Sequence, residues 1–274
     1  MKKNSSATRH PLIPPRSRYT GYGWIPDYPD RRDWLYSSVP RPSRKMPVLT
    51  DLRSGCSPVE DQGEIGSCTA NALAGALEFL QKKDGVPFED KSRLFIYYNE
   101  RVIAHSTGAD SGAQLRDGIK TLAKQGACRE SIWPYLAGKL AVKPPDACYR
   151  DALEHRISRY RRIITVREMK TCLAEGFPFV FGFMVFGSFE SNRVARSGIV
   201  DMPGRRETPL GGHAVLAVGY DERESRFIAR NSWGTGWGMR GYFTIPYEYL
   251  ESRELAADFW TIRREAGKQA RKGG

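Results

Sequence analysis

At about residue 155 the chain changes its hydrophobic rhythm, and that change restricts the fold more than any other feature. Before it, apolar residues recur every three or four positions. The stretch CTANALAGALEFLQKK (68–83) sets Leu73, Leu77 and Leu80 on one face with Ala76 and stops near Asp84 and Gly85, which predicts an amphipathic helix. Further helices are predicted over SRLFIYYNERVIAH (92–105) and SGAQLRDGIKTLAKQG (111–126), the second stopped by Gly126. After residue 155 the apolar residues alternate or run together in short stretches that read as strands: RYRRIITV, FPFVFGFMV, GIVDM, GHAVLAVGYD, RFIARNSW and GYFTIPY. One short helix, REMKTCLAEG (167–176), interrupts them. Helices first and antiparallel strands second predict an α+β fold with segregated halves and a cleft between them.

The net charge of +12 invites a nucleic-acid reading, but its distribution argues against one. Residues 1–45 carry ten Lys/Arg against three Asp, and residues 263–274 carry five against one Glu, whereas the body has 28 against 27. The basicity therefore belongs to the ends, and no basic groove with interleaved aromatics marks the body, so no specific nucleic-acid partner is expected. The longest apolar run, FPFVFGFMVF (177–186), is too short to span a bilayer, and the polar, proline-rich opening MKKNSSATRHPLIPPRSRY is no signal peptide. The expectation is a cytoplasmic protein, or one exported by a route without an N-terminal signal peptide. Residues 1–45 hold seven prolines and the cluster YTGYGWIPDYPDRRDWLY (19–36), a composition too aromatic for a disordered tail. This segment is expected to lie extended along a folded surface, anchored by Tyr22, Trp24, Tyr28 and Trp34.

The five cysteines are odd in number and form no Cys-x-x-Cys pair, and the four histidines are scattered, so neither a disulfide framework nor a metal site is expected. Cys56, Cys128, Cys148 and Cys172 read as core thiols, with a Cys128–Cys148 bridge left open. His105 and His155 read as surface or capping residues, and Trp133 and Trp260 as packing. The segment GTGWG lacks the Lys-Ser/Thr of a phosphate loop.

A cysteine alone before a helix is ordinarily structural, and what changes the reading of Cys68 is its company. GHAVLAVGYDERESRFIARNSWGTGWG (212–238) reads as a hairpin turning near residues 222–223, which places His213 and Asn231 side by side within a residue or two. An imidazole held by a carboxamide oxygen is oriented for proton transfer. A thiol at a helix start, near that imidazole, is favoured as thiolate. Gln62 lies six residues upstream, where its amide and the Cys68 N–H can both donate to an oxyanion. The set suits acyl transfer through a thioester, with no metal or organic cofactor.

Gln62, Gly66-Ser67-Cys68, Gly212-His213-Ala214-Val215 and the block NSWGTGWG (231–238), in that order, resemble the papain-like cysteine peptidases, and the extension suggests the bacterial or viral xylellain-like branch. The resemblance spans about residues 47–262. It implies a helical left half, an antiparallel β-barrel-like right half, and an active site between them. It also implies that Trp233 and Trp237 shield the His213–Asn231 bond, that Ser111 and Gly112 align a substrate backbone, and that Gly182 and Ala214 line a pocket for the side chain two residues before the cut, with Gly211 nearby and Gly212 and Trp233 also on the substrate-binding surface. That pocket is expected to accept bulky apolar groups, with Leu250 or Glu254 as its floor. Thr69 stands where the family commonly has an aromatic, and Ile65 and Ala109 replace both cysteines of a family disulfide, which fits folding under reducing conditions.

The expected organisation is an N-terminal extension (1–45) over or near the cleft, a helical half (46–154), a β half (155–262) and a basic tail (263–274). The expected activity is that of a monomeric cysteine endopeptidase acting on peptides or proteins. A thioester-forming amidase or transferase, and a catalytically silent peptide-binding protein, are the alternatives.

Overall fold

The computed structural model describes residues 21–38 and 45–264; the start of the extension, residues 39–44 and the basic tail from 265 lie outside the described residues. The three predicted helices form as α1 (Cys68–Lys83), α2 (Arg93–Ile103) and α3 (Leu115–Lys124), preceded by a short strand β1 (Leu49–Asp51). Ser92 caps α2 by accepting from the Phe95 N–H, so the helix starts one residue later than predicted. After α4 (Asp146–Ala152) come β2 (Arg159–Arg162), α5 (Val166–Ala174), β3 (Phe179–Phe186), α6 (Asn192–Ser197), β4 (Pro209–Asp221), β5 (Arg226–Arg230), β6 (Tyr242–Pro246), α7 (Tyr247–Glu251) and β7 (Ala256–Arg263). The fold is α+β. Thr165 and Glu168 close a reciprocal capping box at the start of α5, the interrupting helix.

The strands form one antiparallel sheet in the order β2-β7-β3-β4-β5-β6, with β1 paired to the far end of β4. This sheet does not close, which corrects the barrel-like expectation. Both of its margins carry other chain: Leu35 of the extension bridges Arg162 on β2, and Ile199 bridges Thr244 on β6. The same bridge corrects GIVDM, which is a single contact rather than a strand. Two strands have no counterpart in the sequence prediction, the short β1 and β7, and β7 lies between β2 and β3 and is buried along most of its length.

Two apolar clusters flank this sheet. One gathers α1, α2 and α3 with Val180, Leu216, Val218 and Trp260. The other gathers Phe179, Phe181, Phe183, Phe189 and Phe243 on the opposite face, with Leu250. Helix α1 is buried nearly all round because β4 covers one side and α2 and α3 the other. That position fixes the N-terminus of α1 against the middle of β4.

Candidate active site

Cys68 is the first residue of α1 and is completely buried. No side chain caps this helix start, because the Ser67 hydroxyl is turned toward the Tyr135 hydroxyl, 2.6 Å away, and accepts from Asn71 Nδ2. His213 stands on β4 opposite Phe183 of β3, and Asn231 follows the end of β5. The β4–β5 turn spans residues 222–225, with Asp221 opposite Arg226, so the register runs slightly later than predicted. The side chains still meet: His213 Nε2 and Asn231 Oδ1 lie 2.8 Å apart. His213 Nδ1 has no hydrogen-bond partner among the described residues and is the ring nitrogen left for proton exchange.

Gln62 reaches this place through a loop joined to the Asn231 segment, since its N–H donates to the Ser232 carbonyl at 2.9 Å. Its amide Nε2 donates to the carbonyl oxygens of Gly21 (2.8 Å) and Ile65 (2.9 Å). Ser232 was not singled out from the sequence, yet it orients two of the four groups. Its hydroxyl donates to Gln62 Oε1 at 2.5 Å, and its backbone N–H donates to Asn231 Oδ1 at 2.8 Å. A hydroxyl residue after the Asn was the available signal. Trp233 lies over His213 with ring centres 5.0 Å apart, and Trp237 meets Trp233 edge-on.

The cleft is filled by the chain itself. Gly23 passes so close to Gly66 that a Cβ on it would sit 1.7 Å from the Gly66 carbonyl oxygen, which only glycine permits. The Gly23 carbonyl accepts from the Ala113 N–H at 2.7 Å, the Ile25 N–H donates to the Ala113 carbonyl at 3.0 Å, and the Trp24 N–H donates to the Gly212 carbonyl at 2.9 Å. Backbone pairing thus falls on Ala113, one residue beyond Ser111 and Gly112. Gly112 abuts Gly23 and is held by the Tyr97 hydroxyl, while exposed Ser111 bonds Ser106. Tyr22 packs on Gly211 and edge-on to His213, and the Trp24 ring lies on Gly182 and Gly212, near buried Ala214. Asp258 takes the Trp24 Nε1 hydrogen bond, whereas Leu250 lies in the other cluster and Glu254 is exposed.

Beyond the cleft the extension is held by charge. Arg116 of α3 grips Asp33 at 2.6 Å, and Arg162 of β2 binds Asp33 at 2.7 Å and Asp258 at 3.0 Å. Asp27 accepts from Trp260 Nε1 and the Arg116 N–H, and its own N–H donates to Asp258. Of the expected anchors, Tyr28 is 77% exposed and contributes only its carbonyl, which accepts from Arg116, while Trp34 stacks on Tyr160 from a half-exposed position. Tyr36, fully buried, donates to Glu175.

Covering the site changes its electrostatics. Burial pushes the Cys68 thiol up to about 11, against the opposing N–H groups of Ala214 and Gly23. Burial also pulls His213 down to about 4, despite the bond to Asn231. The covered pair is therefore neutral across the physiological range. Burial, then the Asp27 charge, raises Asp258 to about 6, and burial raises Asp27 as well. Among the described residues there is no cluster able to hold a metal ion, and no helix is long and apolar enough to cross a membrane. All five cysteines are buried free thiols, including Cys128 and Cys148. His155, expected as a surface or capping residue, is buried and faces Glu89 at 3.3 Å.

An open α+β sheet with a helix-borne thiol, an imidazole–carboxamide pair and a glutamine amide around one trough defines a cysteine protease class, and comparison with known proteins agrees. The family described as papain family cysteine protease matches residues 46–258, and the chain belongs to it. A peptidase C1-like protein of Acanthamoeba polyphaga mimivirus is 41% identical, covering 88% of this chain and 86% of its own. Chicken cathepsin K is 28% identical over 80% of this chain and 64% of its own. The crystal structure of xylellain, a cysteine protease from Xylella fastidiosa, superposes with a TM-score of 0.83 at 42% identity, covering 93% of this chain and all of that one. The protein is a cysteine endopeptidase.

Proposed function

We propose that Cys68 is the nucleophile, His213 the acid–base, Asn231 its orienting partner and Gln62 an oxyanion donor, and that the chain's own residues 21–25 restrain them. The halves 46–154 and 155–262 meet at this cleft, the first supplying Cys68 and Gln62, the second His213 and Asn231. In the reaction His213 Nδ1 takes the Cys68 proton and the sulfur adds to a peptide carbonyl carbon. The oxyanion accepts from the Gln62 amide, and its collapse expels the amine, which takes the proton from His213. Water, deprotonated by His213, then cleaves the thioester and regenerates the thiol.

The single observation that carries this reading is the Gly21 carbonyl seated on Gln62 Nε2 at 2.8 Å, two residues from the Gly23 N–H that faces the thiol. On this reading the Gly21 carbonyl stands in for the oxyanion that Gln62 would receive. While it stays there, substrate is excluded and the thiol and imidazole are held neutral. Lifting it readmits water, which restores the thiolate–imidazolium pair. Five buried free thiols support a reducing location, and the cleft is complete within one chain, which supports a monomer.

The test is hydrolysis of a fluorogenic peptide by the full chain and by Cys68→Ala. Loss of about 10⁴-fold or more in kcat is expected when the nucleophile is removed. Turnover that survives Cys68→Ala would overturn the assignment.

A further inference from the structure

The segment lying in the cleft also reports what the cleft recognises, provided the reading above holds and this trough is where substrate lies. Trp24 is 5% exposed, and its ring occupies a pocket cleared by glycine: a Cβ on Gly182 would lie 1.9 Å from ring atom Cε2, and one on Gly212 would lie 2.8 Å from Cε3. At the ring's edge Nε1 donates to Asp258 Oδ2 at 3.1 Å, with both side chains buried. Asp258 is aimed there by an unusual backbone. It has φ +59° in a non-glycine residue, and it sits where the pairing of β3 with β7 slips between Val180 and Gly182. Its other oxygen is already bound by Arg162 at 3.0 Å.

From this arrangement we propose that Asp258 is a specificity-determining residue, which makes the pocket select a flat side chain carrying a neutral hydrogen-bond donor, tryptophan above all, at the position two residues before the cut. A phenylalanine there fills the same slot but leaves Oδ2 with the Asp27 N–H alone, at 2.7 Å, and forfeits the indole's hydrogen bond to a buried carboxylate. An arginine brings a donor, but it meets Arg162 already seated on the carboxylate. Gly182 and Gly212 supply the room, and Asp258 supplies the choice.

The experiment uses the full chain and three peptides that differ only at that position, bearing Trp, Phe or Arg. Ratios of kcat/KM between peptides cancel the fraction of enzyme that is folded or uncovered. The same peptides are ranked by the concentration that halves alkylation of Cys68 by iodoacetamide, a readout that does not need turnover. Two variants accompany the wild type: Asp258→Gly, which removes the carboxylate yet tolerates the positive φ, and Asp258→Asn, which keeps an acceptor.

The expected result is a preference of about tenfold for Trp over both other peptides, lost in Asp258→Gly and partly retained in Asp258→Asn. Equal treatment of Trp and Phe, a preference for Arg, or a Trp preference that survives Asp258→Gly overturns the proposal. Peptides that protect Cys68 in the expected order but are never cut support the pocket while contradicting the catalytic reading. A Cys68 that no peptide reaches or protects counts against the pocket, because a site that no free side chain enters selects nothing.

Discussion

The extension is bound in two ways along its length. Residues 21–25 lie in the cleft through backbone hydrogen bonds to Ala113, Gly212 and Gln62 and through one buried indole. Residues 27–36 are fastened outside it by Asp27 and Asp33 on Arg116 and Arg162, by the Trp34–Tyr160 stack and by the buried Tyr36. The backbone contacts of the first set are ones that any extended peptide can copy, and its indole is one that a tryptophan-bearing peptide can replace. The second depends on charges and rings particular to this chain. A substrate therefore competes for the first region only, and the second keeps the displaced segment nearby at high effective concentration.

This contrast can be broken most strongly at Trp24. Trp24→Ala empties the slot over Gly182 and removes the donor to Asp258, at a cost on the order of 3 kcal/mol. Peptide turnover by the full chain is expected to rise by up to about a hundredfold, measured as kcat/KM.

Outside the cleft, Asp33→Ala leaves two guanidiniums short of a partner. A cost of about 2 kcal/mol in docking is expected, with a rise in turnover of up to about thirtyfold. Limited proteolysis of residues 27–36 should accelerate in parallel. Acceleration without a gain in turnover would separate the fastening from the block.

Acidity sharpens the contrast further, because Asp258 rises from 3.8 to about 6 in the docked state through burial and the Asp27 charge. The docked state thus holds the proton more tightly to the extent that the extension supplies the burial and the Asp27 charge, so docking weakens as pH rises through about 6. Opening, followed as the alkylation rate of Cys68 corrected for thiolate content, should increase a few-fold between pH 5 and 7. Asp258→Asn should flatten that rise. The smallest effect belongs to Tyr28→Ala: an exposed ring whose carbonyl alone is used should leave turnover within a factor of two.

What the sequence made legible follows the same division between local and distant causes. The start of α1 at Cys68 and the meeting of His213 with Asn231 could be read because short-range periodicity and one tight turn govern them. β7 could not, since AADFWTIR is buried on both faces and carries an aspartate where a strand pattern expects an apolar residue. Trp24 and Asp258 are 234 residues apart, and nothing near either announces the other. Ser232 escaped because its role lies in what it orients rather than in its own chemistry, and the barrel-like expectation left out that the sheet stays open, because sheet margins taken by Leu35 and Ile199 are tertiary events.

The central claim is that Cys68 is the nucleophile of a peptidase whose cleft is filled by its own residues. The most direct measurement is the rate at which an epoxysuccinyl inhibitor modifies the full chain and the Trp24→Ala variant, read by intact mass with the adduct mapped to a peptide. A single adduct on Cys68, formed many times faster in Trp24→Ala, is the predicted result. Equal rates in the two proteins, or an adduct on any of the other four cysteines, would contradict the account.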